Sequence, residues 1–202
     1  MNKIVIYDFE TTGLTKEDHP VQIVCKTVFE NGDEENYQKY VKPQVPINPF
    51  AQSVHGLSEK FLNKNGIDLS DAVRDMKNIF SGAKTIVGYN ILGFDNVMLN
   101  RLMANYHLDF TITDSMCYDV YGAFKADYMG IEPNGNYKSI GEFHRSVMGR
   151  RANGISFKLK NAVEHYAIPK GAFHDAKYDV DATYLIFSII SGFFPEQLKN
   201  RE

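Results

Sequence analysis

The stretch IVIYDFETTGL, residues 4–14, decides the fold of this 202-residue chain. Its first four residues are apolar and mostly β-branched, which is typical of a central strand covered on both faces. Two acids follow, Asp8 and Glu10. Because side chains at positions i and i+2 of a strand face the same side, both carboxylates project together while Phe9 turns towards the core. The stretch therefore predicts a buried strand whose end carries a pair of acids.

The pattern downstream indicates the fold class. Further strands are predicted over 21–29, 36–41, 85–88 and 111–113, and helices over 70–81, 95–106, 117–126, 156–166 and about 174–191. Three prolines between positions 43 and 49 predict an extended loop. The predicted strands come first and later alternate with helices. This order predicts an α/β fold with a mixed central sheet flanked by helices. We expect residues 1–202 to form a single domain, with the polar segment 130–154 as an insertion.

Composition and charge narrow the function classes. The net charge of −3 is unusual for a nucleic-acid binder, but the segment 138–177 holds eight Lys and Arg against three Asp and Glu. That segment is either a phosphate-contacting face or an ordinary solvated surface. No apolar run approaches the roughly 20 residues of a membrane span, and the N-terminus shows no targeting pattern. With two isolated cysteines, these features predict a cytoplasmic protein that does not enter membranes.

Two further motifs carry residues suited to chemistry. In the segment 88–95 an apolar strand stops at Asn90, and Phe94 and Asp95 open a helix. Near the C-terminus, His174 is expected just before a helix that carries Asp179 in its first turns. Each motif also has a simpler interpretation, in which Asp95 is a helix-capping acid, Phe94 is core, and His174 and Asp179 are surface groups.

Together, the three motifs resemble the DnaQ-like 3′→5′ exonucleases of the DEDDh branch. The family's D-x-E motif corresponds to Asp8 and Glu10, its N-x-x-x-F-D pattern to Asn90, Phe94 and Asp95, and its H-x-x-x-x-D motif to His174 and Asp179. A His-Gly-Leu-Ser stretch at 55–58 is a less specific family feature. The region around His174 is most similar to bacterial and phage exonuclease I. The resemblance implies a ribonuclease H-like fold.

The resemblance also implies an activity and its cofactors. It implies a hydrolase that degrades single-stranded DNA from the 3′ end to nucleoside 5′-monophosphates. Two divalent cations, Mg²⁺ or Mn²⁺, would be held by the four acids, and His174 would be the general base. The partner would be the 3′ end of a single strand, with DNA preferred over RNA, and a polymerase or another replication or repair protein is a candidate partner.

The terminal nucleotide needs a binding surface as well. Backbone groups of Thr11, Thr12 and Gly13 are expected near the 3′-hydroxyl, and Leu14 is expected to wedge against the base. Phe94 is placed to stack and Asn90 to donate a hydrogen bond, although Leu14 and Phe94 could instead be core. Three other interpretations stay open: an exoribonuclease, a non-catalytic nucleic-acid-binding module, and an interaction domain whose acids are only caps and surface charge.

Overall fold

A five-stranded sheet organises the computed structural model, which describes residues 3–152, 154–169, 171 and 175–193. The strand order is β3-β2-β1-β4-β5, with β2 antiparallel to both β1 and β3, and with β4 parallel to both β1 and β5. The predicted α/β class with a mixed sheet is therefore confirmed. The strands are β1 (Lys3–Thr11), β2 (Pro20–Phe29), β3 (Glu34–Tyr40), β4 (Ala83–Gly88) and β5 (Cys117–Asp119).

Eight α-helices are found in the part of the chain that the structure describes. None of them is long and apolar enough to cross a membrane. A single 3-10 turn over Asp114–Met116 precedes β5. The helices are α1 (Pro49–His55), α2 (Glu59–Asn65), α3 (Leu69–Phe80), α4 (Asp95–Asn105), α5 (Val120–Tyr128), α6 (Ile140–Met148), α7 (Leu159–His165) and α8 (Ala176–Ser191).

The alternation of side chains along β1 divides the core into two layers. Val5, Tyr7 and Phe9 pack into a cluster with residues of α3 and α4. Ile4 and Ile6 pack into a second cluster, with residues of α5, α7 and α8. The even-numbered row continues with Asp8 and Glu10, so the period of the strand directs both acids to the side on which α8 packs. The fold thereby sets where the acids can meet other groups.

Three local predictions were wrong, two of them for an evident physical reason. The proline-containing segment predicted to be a loop ends in α1, because Pro49 occupies the first helical turn, where its missing N–H is not needed. Residues 111–113 are not a strand. The helix predicted from 117 begins only at Val120, because Asp119 caps it by accepting a hydrogen bond from the Gly122 N–H, and 117–119 pair with β4.

The segment 130–154, predicted to be an insertion, contains α6. This helix packs against α5 and β5, with Phe143 and Val147 clustering with Ala126 of α5. Its N-terminus is capped by Ser139, whose hydroxyl accepts a hydrogen bond from the Glu142 N–H. The helix is consequently part of the packed structure beside the edge strand.

Candidate active site

Three carboxylates from distant parts of the chain meet at the end of β1. One carboxylate oxygen from each of Asp8, Glu10 and Asp179 lies within 4.8 Å of the other two. Asp179 is in the first turn of α8. A salt bridge of 2.8 Å from Lys26 of β2 to Asp181 ties this end of α8 to the sheet. The strand period and the packing of α8 together create this cluster, which sequence motifs alone can only suggest.

Asp95 approaches from the other side of β1. It begins α4, is 6% exposed and lines one cavity together with Asp8 and Glu10, although it is not within the three-carboxylate cluster. The next residue, Asn96, accepts a 2.6 Å hydrogen bond from the Tyr7 hydroxyl. This buried bond fixes the first turn of α4 to β1, one residue before Asp8. The four predicted acids therefore all lie near the end of β1.

Burial and mutual repulsion raise the pKa values of three of these acids. Burial, followed by repulsion from Asp95, Asp179 and Glu10, raises the pKa of Asp8 well above its usual value. Burial, followed by the Asp179 and Asp175 charges, raises the pKa of Glu10 to about 7. Burial is also the main cause that raises the pKa of Asp95 to about 8. A cluster of oxygen ligands whose charges repel one another suits a divalent cation such as Mg²⁺ or Mn²⁺.

His174, the predicted general base, lies outside the described residues. It directly precedes Asp175, whose side chain caps α8 by accepting a hydrogen bond from the Lys177 N–H at 3.0 Å. Asp179 follows within the first turn of the same helix. The role of His174 stays a prediction.

The loop of residues 89–94, between β4 and α4, is held by a buried carboxylate and a partly exposed arginine, contacts that the sequence did not reveal. The Asp119 carboxylate accepts hydrogen bonds from the N–H groups of Asn90 at 3.2 Å and Leu92 at 2.9 Å. Arg145 of α6 donates to the Leu92 carbonyl at 3.1 Å and pairs with Asp114 at 2.7 Å. Asn90 has a φ of 64°, a left-handed conformation that such anchoring stabilises.

A second carboxylate fixes the loop that follows β1. Asp18 accepts a 2.6 Å hydrogen bond from the Thr12 hydroxyl and a 2.7 Å bond from the Thr15 N–H. A Cβ on Gly13 would lie 2.7 Å from the Asp18 carboxylate, so a larger residue there would push Asp18 away from its hydrogen-bond partners. The next side chain, Leu14, is 76% exposed. The alternative that Leu14 is core is wrong.

A cavity of about 290 Å³ is lined by the acids of β1, by Asp95 and by residues of both loops. Of the predicted substrate-binding residues, Thr11, Leu14, Asn90 and Phe94 line it, and Phe94 also packs partly against the core. Helix α1 adds Phe50, Val54 and His55 to the lining, and of these only His55, in the His-Gly-Leu-Ser stretch, was singled out from the sequence. The described lining is Asp8, Phe9, Glu10, Thr11, Leu14, Phe50, Ala51, Val54, His55, Tyr89, Asn90, Phe94 and Asp95.

The raised pKa values predict an unusual dependence of stability on pH. Without metal, Glu10 and Asp95 keep protons in the folded state that they release in the unfolded state, so the free energy of unfolding falls as pH rises through about 7 and 8. We expect the melting temperature in EDTA to drop by about 3 °C between roughly pH 6.5 and pH 8.5. Mn²⁺ should restore it, most strongly at the higher pH.

Thermal melts at both pH values, with EDTA or Mn²⁺, measure this effect. Burial lowers the pKa of His144 to about 4, so near pH 6.5 this histidine binds a proton only in the unfolded state, which opposes the fall slightly at the lower end of the window. Asp95→Asn should weaken the pH dependence. A metal-free melting temperature that rises with pH across the window would contradict the prediction.

Comparisons with known proteins bear on the fold and the family of the chain. The chain is similar to the structure of E. coli exonuclease I in complex with a dT13 oligonucleotide, with a TM-score of 0.75 and 20% identity over 98% of this chain and 43% of that one. The zinc-bound form of the E. coli exonuclease I–ssDNA complex gives a TM-score of 0.76 and 21% identity, over 98% and 42% of the chains.

A complex of exonuclease I with SSB-Ct gives a TM-score of 0.71 and 20% identity, over 95% of this chain and 42% of that one. The chain thus spans less than half the length of these structures, and the likeness confirms the predicted ribonuclease H-like fold. A comparison with curated proteins returned no match. The model of the RNase T exonuclease family matches residues 5–187, nearly the whole length, so the chain belongs to this exonuclease family.

Proposed function

We propose that this chain is a metal-dependent 3′→5′ exonuclease that hydrolyses single-stranded DNA to nucleoside 5′-monophosphates. The observation that carries the proposal is the meeting of Asp8, Glu10 and Asp179 within 4.8 Å, in a chain of the exonuclease family. Solved structures with the same fold are described as complexes with single-stranded oligonucleotides. We also propose that residues 1–202 act as one nuclease domain, with 130–154 as its insertion.

The four acids are proposed to hold two divalent cations, Mg²⁺ or Mn²⁺. Asp8 is proposed as a ligand shared between them, because it lies in the cluster with Glu10 and Asp179 and also lines the cavity with Asp95. Bound there, the cations would lower the pKa of an attacking water and neutralise charge on the phosphate. His174 is proposed to accept the proton of that water, a role suited to an imidazole whose pKa is near neutral pH.

The residues around the acids are proposed to orient the strand. The loop 11–14 offers backbone groups for the 3′-hydroxyl and the exposed side chain of Leu14 for the base. Phe94 and Asn90, in the loop of residues 89–94, line the same cavity as Asp95. These contacts would place the last phosphodiester over the carboxylates. Because catalysis by positioning needs a fixed geometry, the rate would depend on how rigidly the two loops are held.

A time course on 5′-labelled single-stranded DNA, with Mg²⁺ or with EDTA, tests the proposal. A descending ladder that requires Mg²⁺ is expected, with nucleoside 5′-monophosphates as products. A matched RNA strand in parallel tests the preference for DNA, and faster loss of RNA would favour the exoribonuclease alternative. Binding of the strand without any cleavage in Mg²⁺ or Mn²⁺ would favour a non-catalytic module and overturn the proposal.

Arg145 is expected to matter for turnover although it is not proposed to touch the substrate. It is one of the anchors of the loop between Asn90 and Asp95, through its bond to the Leu92 carbonyl and its pair with Asp114. Arg145→Ala should lower kcat roughly tenfold, since small displacements of catalytic groups are costly. Arg145→Lys keeps the charge but not the planar guanidinium group, so its kcat should lie between those of Arg145→Ala and the parent.

Steady-state kinetics on a single-stranded oligonucleotide measure this prediction. Arg74→Ala is the matched control, because Arg74 also pairs with an aspartate, Asp71, but on the exposed surface of α3. That variant should keep the parental kcat. Equal kcat values for Arg145→Ala and the parent would show that the loop does not depend on this anchor.

A further inference from the structure

A second cavity, of about 380 Å³, is lined by residues of α5, of α6, of the segment 131–133 and of the end of α8. None of its described lining residues also lines the cavity at the end of β1. Its aromatic and branched aliphatic wall residues are Tyr118, Ile131, Ile140, Phe143 and Ile190. The proposed hydrolysis uses none of these groups, so the cavity has no role in it.

His144 of α6 brings a buried polar group to this cavity. Its side chain is 2% exposed, and its ring packs edge-on against Tyr118 with the centroids 4.6 Å apart. Its Nδ1 accepts a 3.2 Å hydrogen bond from the Asp119 N–H, so the neutral ring carries its proton on Nε2. Burial lowers the pKa of His144 to about 4, which keeps the ring neutral at pH 7.

The second nitrogen of this ring is left without a partner in the part of the chain that the structure describes. Among those residues, Nδ1 is the only atom of the His144 ring that forms a hydrogen bond. Buried donors are rarely left unpaired, because the loss of hydration then goes uncompensated. The Nε2–H is therefore available to a hydrogen-bond acceptor bound in the cavity.

The charged residues that line the cavity, Asp127 and Glu132, are both acids. Glu132 is exposed and forms no salt bridge with any described residue. The Asp127 carboxylate accepts a 2.6 Å hydrogen bond from the Tyr166 hydroxyl and lies 4.0 Å from Nε2 of His165. These charges favour a cation at the cavity and disfavour a phosphate or a carboxylate, so a nucleic-acid strand is a poor match.

We propose that this cavity is a docking site for a partner protein that presents an apolar side chain flanked by Lys or Arg. The apolar side chain would fill the cavity, a main-chain carbonyl would accept the His144 Nε2–H, and the cation would pair with Glu132. A short peptide segment carries all three groups within a few residues, and the volume suits one large side chain with its adjoining main chain. This docking site is independent of the proposed exonuclease function.

Selection from a random peptide library displayed on phage tests the docking site without any known partner. The library is first depleted on the Ile140→Lys variant and then selected on the parent chain. Ile140 lines the cavity but is 38% exposed, so a lysine there blocks the cavity and repels a cation while the fold is kept. The selected peptides should share an apolar residue next to Lys or Arg. Circular dichroism checks the fold of the variant, and Glu132→Lys replaces it in the depletion step if it does not fold.

Fluorescence anisotropy with a labelled copy of the best selected peptide measures the charge dependence. Glu132→Lys should raise the Kd about tenfold or more, because it reverses the charge that faces the cation of the peptide. Glu35→Lys is the matched control, since Glu35 is an exposed acid of β3 that lines neither cavity. Its Kd should equal that of the parent.

Side-chain NMR tests the role of the histidine. In a long-range ¹H–¹⁵N spectrum, the peptide should shift the Nε2 signal of His144 and leave that of the exposed His107 in place. His144→Asn keeps an acceptor for the Asp119 N–H but removes the donor to the cavity. This variant should therefore bind the peptide more weakly than the parent.

Several results would overturn the docking site. They are the absence of any enriched peptide, enrichment of acidic peptides, and peptides whose Kd is the same for the parent and Glu132→Lys. If the parent instead forms a dimer that Ile140→Lys converts to a monomer, the cavity binds a second copy of the chain, and the proposal of a basic, apolar partner segment is wrong. None of these results bears on nuclease activity, which the labelled-strand assay measures separately.

Discussion

Asp8→Asn is expected to lower kcat for mononucleotide release by about 10³-fold, on the order of 4 kcal/mol of transition-state stabilisation. Asp8 is singled out among the four acids by its surroundings, because burial first, and then the charges of Asp95, Asp179 and Glu10, raise its pKa. An asparagine at position 8 removes the negative charge of one proposed metal ligand, at the position on which the other three acids act. Both the affinity for Mn²⁺ and the rate should therefore fall.

For the same variant, we expect the stability of the metal-free protein to rise although the rate falls. Replacing the carboxylate removes repulsion from the metal-free cluster, so Asp8→Asn should melt at a higher temperature than the parent in EDTA at about pH 8. A rate that collapses while the fold gains stability cannot be explained by misfolding. Asp71→Asn, at an exposed acid of α3, is the control and should change neither quantity. Activity of Asp8→Asn within tenfold of the parent would contradict the metal-site proposal.

The sheet, and the placement of Asp8 and Glu10 on one side of its first strand, could be predicted because both follow from short-range sequence patterns. The apolar run before Asp8 indicates a doubly covered strand, and the period of two fixes Asp8 and Glu10 on one side of it. The long apolar helix near the C-terminus brought Asp179 to that side, which a sequence alone could suggest only through the resemblance. In the structure α8 packs on β1, and Asp179 lies beside Asp8 and Glu10.

The remaining parts of the site depend on contacts between distant residues. Asp119 resembles an ordinary helix cap in sequence, and nothing local shows that its carboxylate also binds the N–H groups of Asn90 and Leu92. Arg145 lies in a segment whose polar, glycine-containing sequence predicted only an insertion. Phe50 was missed because three nearby prolines favour a loop, while Pro49 in fact starts a helix.

His174→Ala is expected to lower kcat by about 10²–10⁴-fold, the range that positioned acid–base groups contribute. The expectation comes from the H-x-x-x-x-D motif, whose aspartate, Asp179, belongs to the three-carboxylate cluster. An imidazole base must be neutral to accept a proton, so kcat should rise with pH up to about 7 in the parent. His174→Ala should remove the part of that rise which belongs to the base.

Metal binding distinguishes this variant from Asp8→Asn. His174 is proposed to act on the water and not to hold a cation, so His174→Ala should bind Mn²⁺ with nearly the parental affinity while Asp8→Asn should not. His107→Asn is the control, because His107 is exposed beyond the end of α4 opposite to Asp95, roughly 15 Å along the helix axis. If His174→Ala loses Mn²⁺ binding together with turnover, the histidine supports the metal cluster itself, and the proton from the attacking water must go to another acceptor.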